Sequence, residues 1–223
     1  MKKIVKIVSV ENLTHDVLHI VVEKPEQLTF EPGQATDLSI NKKGWEQELR
    51  SFTFTSLPDD ELLEFTIKTY PSHDGVTKEL LSLHQGDELI IHDVYGAITY
   101  KGEGVFIAGG AGVTPFIAIL KHLEAKNEIG HNKLIFANKT KADIIQEDKF
   151  TELLGSNFIN VLSDEKLANY EHGYISAELI KKYTGGNVNY FYICGPEPMM
   201  EAVEKHLSSL GIAKNVIVKE SFD

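Results

Sequence analysis

Val105-Phe-Ile-Ala-Gly-Gly-Ala-Gly-Val-Thr-Pro115 is an apolar run that ends in a cluster of small residues and then meets a proline. The run reads as a buried strand, the cluster as a tight turn, and the proline as the first turn of a helix. A second stretch, Tyr190-Phe-Tyr-Ile-Cys-Gly-Pro-Glu-Pro-Met-Met200, repeats the pattern. A strand–glycine turn–helix unit leaves the helix N-terminal N–H groups facing open space. That suits an anion such as a dinucleotide pyrophosphate. Two such units in one sheet place a nucleotide across a topological switch point.

Outward from these stretches the chain divides near residue 101 into segments 1–101 and 102–223. Upstream the pattern has a period of two: Ile4, Ile7-Val8, Val17-Leu18, Ile20-Val21-Val22, Leu38 and Ile40, then Phe52 and Phe54, then Leu63, Phe65 and Ile67. Short strands at this spacing predict an antiparallel barrel or sandwich, interrupted by one helix over about Asp74–Leu83. Downstream the pattern alternates. Strands are expected at 105–108, 133–138, 158–162, 189–194 and 215–219, with helices at 115–125, 143–154, 176–183 and 197–210. Alternation of this kind predicts a doubly wound α/β domain on a parallel five-stranded sheet.

Bulk properties narrow the partners. Of 223 residues, 42% are hydrophobic and 25% charged, as in an ordinary soluble protein. The formal net charge of −11 argues against a nucleic acid or an anionic membrane. One cysteine, Cys194, permits no internal disulfide and no multi-cysteine metal or iron–sulfur site. Lys6 breaks the apolar run of Met1–Val10, which reads as a strand and not as a signal peptide. No stretch approaches the roughly 20 apolar residues of a membrane helix. The expected compartment is the cytoplasm.

Arg50 is the only arginine in the chain. A guanidinium grips phosphate with two parallel hydrogen bonds, whereas lysine offers a point charge. The alternative is a surface salt bridge. In Arg50-Ser-Phe-Thr-Phe-Thr-Ser56, alternation puts Arg50, Phe52 and Phe54 on one face and Ser51, Thr53 and Thr55 on the other. An aromatic, a hydroxyl and an arginine together suit a flat-ringed phosphate cofactor such as a flavin. Plain core packing is the alternative for the phenylalanines. In His73-Asp-Gly-Val-Thr-Lys78, Gly75 and Thr77 offer a second anion cradle, with an ordinary N-cap by Asp74 or Thr77 as the competing reading. Thr114 can equally be an N-cap to Pro115, and Cys194 a small buried hydrophobe. His15 and His19 would stand roughly 13 Å apart along a strand, too far to share a metal, and no metal site is expected.

In order, these motifs are Arg-x-aromatic-Thr, Gly-x-Thr opening a helix, Gly-Gly-Ala-Gly-Val-Thr-Pro, Cys-Gly-Pro-x-x-Met, and Glu220-Ser-Phe222. The set resembles the ferredoxin–NADP reductase-like flavoprotein family over essentially the whole chain. The resemblance implies that the first half is an antiparallel Greek-key barrel carrying FAD, with NAD(P)H on the second domain. It implies that Arg50, Gly75, Val76 and Thr77 bind the flavin pyrophosphate. Ser51 and Phe52 would bind the flavin, with Phe52 against it and Thr53 near its N5, and Ile67 and Lys68 would form the next lining strand. Gly110, Gly112, Val113 and Thr114 would face the nicotinamide nucleotide. Cys194, Gly195, Pro196 and Met199 would shape the nicotinamide pocket, and Glu220 and Phe222 would lie close to the flavin. Thr53, Cys194 and Glu220 are the catalytic candidates. Phe52 departs from the family's usual tyrosine.

The implied reaction is hydride transfer from NAD(P)H to the flavin, then electron delivery to a separate acceptor, with flavodoxin or ferredoxin the leading expectation. Lys2, Lys3, Lys42, Lys43 and Lys68 would form the local docking patch. A reductase for free flavin or ferric siderophore, or an electron-transfer subunit of a larger complex, is the alternative. The chain is expected to act as a monomer.

Overall fold

The computed structural model describes residues 2–185 and 188–220. The first sheet contains β1 (Lys3–Thr14), β2 (Val17–Glu23), β3 (Ala35–Ile40), β4 (Arg50–Thr53), β5 (Leu62–Lys68) and β6 (Glu88–Tyr95). Its spatial order is β4-β3-β6-β1-β2-β5 and every pairing is antiparallel. The neighbours β3–β6, β6–β1 and β2–β5 are distant in sequence, which makes the connections Greek-key. A single bridge, Phe54 to Phe65, joins the chain just past β4 to β5 and closes the barrel. Phe54 is fully buried, stacked on Phe30 at 4.3 Å and tilted against Phe65 at 5.3 Å. Rings of this size stabilise by roughly 1.5–3 kcal/mol each when buried, so this seam is a principal anchor of the barrel.

The second sheet contains β7 (Gly104–Gly109), β8 (Lys133–Asn138), β9 (Phe158–Leu162), β10 (Glu171–His172), β11 (Tyr190–Cys194) and β12 (Ile217–Lys219), ordered β10-β9-β8-β7-β11-β12. All its pairings are parallel. It has six strands where five were expected: β10 is two residues long and carries no apolar run to announce it. Helices α2 (Thr114–Ala125), α3 (Glu147–Leu154), α4 (Ala177–Thr184) and α5 (Glu197–Ser209) form the crossovers. β7 is buried at every residue, as a strand covered on both faces must be. From β7 the chain steps outward through β8, β9 and β10, then returns to β11 on the other side. The carboxyl ends of β7 and β11 therefore flank the switch point, with Ala108 opposite Cys194.

Two helices differ from expectation. The segment predicted as a helix over Asp74–Leu83 is a four-residue helix α1 (Val76–Glu79) followed by a tighter turn at Leu80–Ser82. α3 starts at Glu147 and not at 143, because Gln146 adopts a left-handed conformation (φ 54°) and interrupts the helical path. The preceding turn, Lys141–Asp143, is closed by reciprocal bonds between Thr140 and Asp143. Core residues of α2 share one cluster with Val17 and Ile98 from the first segment, so this helix packs on both sheets. Among the described residues, no helix is long and apolar enough to cross a membrane.

Candidate cofactor sites

β4 pairs with β3 in the register Arg50–Leu38, Ser51–Asp37, Phe52–Thr36 and Thr53–Ala35. Arg50 is exposed and its Nη1 donates to the Leu49 carbonyl at 2.6 Å. It makes no ion pair among the described residues, which removes the salt-bridge alternative there. Phe54 is the core phenylalanine; Phe52 is half-buried and packs on the barrel cluster, so part of its surface is already committed to the core. Thr53 is half-buried and Ser51 exposed.

Sequence reasoning missed Tyr95 and Asp37. The Tyr95 hydroxyl donates to Asp37 Oδ1 at 2.6 Å and also shares a hydrogen bond with Ser51. Burial first, and then the Asp37 bond, pushes the phenol up to about 12. The network crosses β4, β3 and β6, and no local pattern could have announced it.

Burial limits several of the expected contacts. Ile67 and Val76 are each 1% exposed, so their side chains belong to the barrel core and only their backbones are free to meet a cofactor. Lys68 is paired with Asp16 at 2.8 Å. Lys42 is paired with Glu79, Lys3 donates to the Glu26 carbonyl and Lys2 to Gln47, so most of the expected docking lysines are engaged. The N-cap of α1 is Gly75, with no side-chain cap, and Asp74 instead pairs with Lys78. Space above Gly75 is open to 4 Å. An uncapped first turn, and a guanidinium with no ion pair among the described residues, are each a donor set that fits a phosphate.

At the switch point, β7 runs into a tight turn, Gly110–Val113, before α2. Thr114 is the first residue of α2 and caps nothing; its hydroxyl donates to the Ala111 carbonyl at 3.0 Å. Val113 is fully buried. Gly110 (φ 51°) has open space where a side chain would stand. Gly112 is different: a Cβ there would overlap the Cys194 carbonyl and lie 2.6 Å from the Gly195 Cα. Its glycine is required because two loops touch backbone to backbone. Met199 fills the space beside Gly109 and Gly195, and Pro196 is exposed. The Gly110–Val113 turn lies against β5, so the loop at the switch point meets the barrel strand that carries Ile67 and Lys68.

Cys194 is half-buried at the end of β11, and its thiol is pushed up to about 12 by burial and, second, by the negative charge of Glu220. At neutral pH it is a neutral thiol and not a nucleophile. Glu220 accepts a hydrogen bond from Ala97 N at 3.3 Å. Burial raises its carboxyl above the usual range against the opposing effect of that bond. Cys194 and Glu220, 26 positions apart in sequence, thus sense one another, and Glu220 also acts on Tyr95. Phe222 lies outside the described residues.

A family profile described as "FAD-binding domain" matches residues 2–122. The chain belongs to this family. A second profile, "Oxidoreductase NAD-binding domain", matches residues 106–205. FAD and a nicotinamide dinucleotide are the cofactors of this FAD-binding chain, and its class is oxidoreductase.

The reductase component of propane 2-monooxygenase from Mycolicibacterium goodii is 29% identical, over 97% of this chain and 66% of its own length. The electron transfer component of 2-halobenzoate 1,2-dioxygenase from Burkholderia cepacia is 26% identical, over 85% of this chain and 58% of its own. This chain therefore spans about three-fifths to two-thirds of these relatives. NADH-cytochrome b5 reductase 1 from Aspergillus terreus is 28% identical, over 91% of this chain and 76% of its own length.

Among solved structures, a ferredoxin NADP+ reductase from Neisseria gonorrhoeae with bound FAD and NADP superposes with a TM-score of 0.85 at 20% identity, covering 98% of each chain. The CS-b5R domains of human Ncb5or in the NAD+ form give 0.87 at 26%, covering 99% of this chain and 70% of that one. The fold is that of the ferredoxin–NADP reductase-like flavoproteins.

Proposed function

We propose that this chain is an NAD(P)H-dependent flavoprotein reductase, with segment 1–101 holding FAD, segment 102–223 holding the nicotinamide nucleotide, and electrons passing to a separate acceptor. The observation that carries this reading is the packing of the Gly110–Val113 turn against β5, which brings the switch-point loop of one sheet to the barrel strand of the other. Bound FAD supplies the redox chemistry, accepting a hydride that no side chain here could accept.

The chain's own residues bind and orient. Arg50 and the backbone of Gly75–Thr77 hold the flavin's phosphates, and Thr53 positions its ring edge. Gly110 leaves room for the nucleotide's phosphates at the head of α2. Cys194, neutral and partly buried, fills the side of the nicotinamide pocket without competing as a base or nucleophile. Holding donor and acceptor in near-attack contact is the main catalytic contribution, and it needs no acid–base pair.

The acceptor we assign is a flavodoxin or ferredoxin. Relatives named as reductase or electron-transfer components of oxygenases support transfer to a separate protein. The protein is assigned to the cytoplasm and to a monomeric state. The test is anaerobic mixing with NADH or NADPH, followed by a panel of acceptors. Bleaching of the flavin absorbance and reoxidation by one acceptor class is expected; no bleaching by either nucleotide would overturn the reading.

A further inference from the structure

Lys121 lies on α2 seven residues beyond Thr114, about two helical turns and roughly 10 Å from the switch-point turn. Its ammonium leaves the second sheet's domain altogether. It donates to the Thr55 carbonyl at 2.9 Å and to Glu64 Oε2 at 2.6 Å. Those two partners sit on opposite sides of the barrel seam. Thr55 follows Phe54 and Glu64 precedes Phe65, the pair that closes the barrel, and Thr55 N donates to the Glu64 carbonyl at 2.8 Å. His19 on β2 approaches the same Glu64 oxygen at 3.4 Å. Side-chain exposures of 17% for Lys121, 29% for Glu64 and 22% for His19 place the cluster in a partly desolvated joint. There an ion pair with further hydrogen bonds holds geometry better than an exposed pair does.

Besides its apolar packing on Val17 and Ile98, α2 is thus tied to the barrel near both ends. At its head, the Gly110–Val113 turn lies against β5; two turns along, Lys121 is tied to the seam that β5 helps to form. A rod fixed at two points cannot tilt about one of them. We propose that Lys121 is a positioning residue for hydride transfer: by fastening α2 to the barrel seam it fixes the separation between the nucleotide loop at the head of that helix and the flavin-bearing barrel. This rests on the reductase reading above, in which the two sites face one another. Lys121 touches neither cofactor in this account and acts through the helix that carries it. Binding of the nucleotide to its own loop does not need the fastening, whereas alignment of the reacting carbons does. A displacement of about 1 Å can slow such a step by two orders of magnitude.

The experiment is anaerobic stopped-flow reduction of the FAD-loaded protein by NADH and by NADPH, comparing wild type with Lys121→Met, Lys121→Arg and Glu64→Gln. Lys121→Met keeps the aliphatic stem and loses both bonds. It is expected to lower the limiting rate of flavin reduction by about ten- to a hundredfold. Flavin content and the apparent nucleotide Kd should stay within about threefold of wild type. Lys121→Arg, which can reach a carbonyl and a carboxylate together, should recover most of the rate. Glu64→Gln, which leaves the Thr55 contact, should fall between. A wild-type limiting rate in Lys121→Met overturns the proposal. So does a loss that arginine fails to restore, or one that only follows loss of flavin or of folded protein in the two lysine variants alike. Wild-type protein that neither nucleotide reduces would instead refute the reductase reading before the variants are compared.

Discussion

Tyr192 holds Gly102 by both ends of its peptide geometry: its hydroxyl donates to the Gly102 carbonyl at 2.7 Å and accepts from the Gly102 N–H at 3.1 Å. The Lys101 N–H donates to the same oxygen at 2.9 Å. The ring itself is fully buried, stacked on Phe106 at 4.4 Å. The last residues before β7 are thus latched to β11 by one phenol.

Tyr192→Phe keeps the ring and removes the partner of two N–H groups and a carbonyl in a partly buried place. Each unsatisfied buried group costs about 1–3 kcal/mol, partly relieved by relaxation, so a loss of roughly 2–3 kcal/mol is expected. Urea unfolding measures it. A change below about 0.5 kcal/mol would mean that water replaces the phenol at no cost.

Arg50→Ala should weaken FAD retention by about a hundredfold, equivalent to about 2.7 kcal/mol, through loss of a charge-assisted contact. Because Arg50 has no ion pair to lose among the described residues, the effect should fall on flavin binding and leave the stability of the flavin-free protein nearly unchanged. Arg50→Lys should recover only part of the affinity. Titration of the flavin-free protein with FAD decides between this and wild-type affinity.

Cys194 should resist alkylation in the native fold. With its thiol at about 12, the thiolate fraction at pH 8 is on the order of one in ten thousand. Iodoacetamide labelling followed by mass spectrometry should show slow modification in buffer and rapid modification in urea. On the proposed placement of the nicotinamide beside Cys194, Cys194→Ala should slow flavin reduction and leave FAD bound. An unchanged reduction rate would reduce Cys194 to packing.

Glu64 makes part of the protein's stability acid-labile. Its carboxyl is held at about 2 by the His19 hydrogen bond first, against burial, and then by Lys121. A folded-state value below the unfolded one means the contribution is complete above about pH 4.5 and drains away as pH falls toward 2. Allowing for partial exposure, its size is about 2 kcal/mol. Glu64→Gln should flatten the stability profile between pH 5 and pH 2 by about this amount; parallel wild-type and variant profiles would refute it.

NADH should be preferred to NADPH by tenfold or more in kcat/KM, about 1.4 kcal/mol. The second half of the chain has no arginine to receive a 2′-phosphate. Beyond the carboxyl ends of β8 and β9, Glu165 Oε2 accepts the Lys141 N–H at 2.8 Å. Lys141 itself is 3.9 Å from Glu147 and faces the Tyr170 ring. A phosphate there would find no guanidinium and Lys141 already engaged, with exposed Lys139 and Lys166 offering point charges only. Steady-state kinetics with both nucleotides give the ratio, and a preference for NADPH would overturn it.

Strands with strong apolar runs were readable to the residue: 133–138 and 158–162 match β8 and β9. Features fixed by distant partners were not. β10 exists because β9 offers an edge, α3 is shortened by the left-handed turn at Gln146, and Lys121 looks from sequence like any lysine on a helix. The glycine motif was legible as a cluster but not in its division of labour, since only folding brings Gly112 against Cys194. Ile67 and Val76 match a cofactor motif by position, but only the fold shows that their side chains complete the core and leave just the backbone to a ligand.

The place of β11 bears on how the chain is made. β7 sits at the middle of its sheet, yet one of its two neighbours, β11, is made only after β8, β9 and β10. The barrel's strands are all synthesised by Tyr95, long before Tyr190. Until then β7, apolar throughout, has an uncovered edge. When β11 arrives it brings that missing neighbour, the Tyr192 latch and the Cys194–Gly195 backbone that packs on Gly112 together. The nucleotide half is thus assembled in one late, long-range step, and a nascent chain halted before it presents a finished barrel beside an aggregation-prone half-sheet.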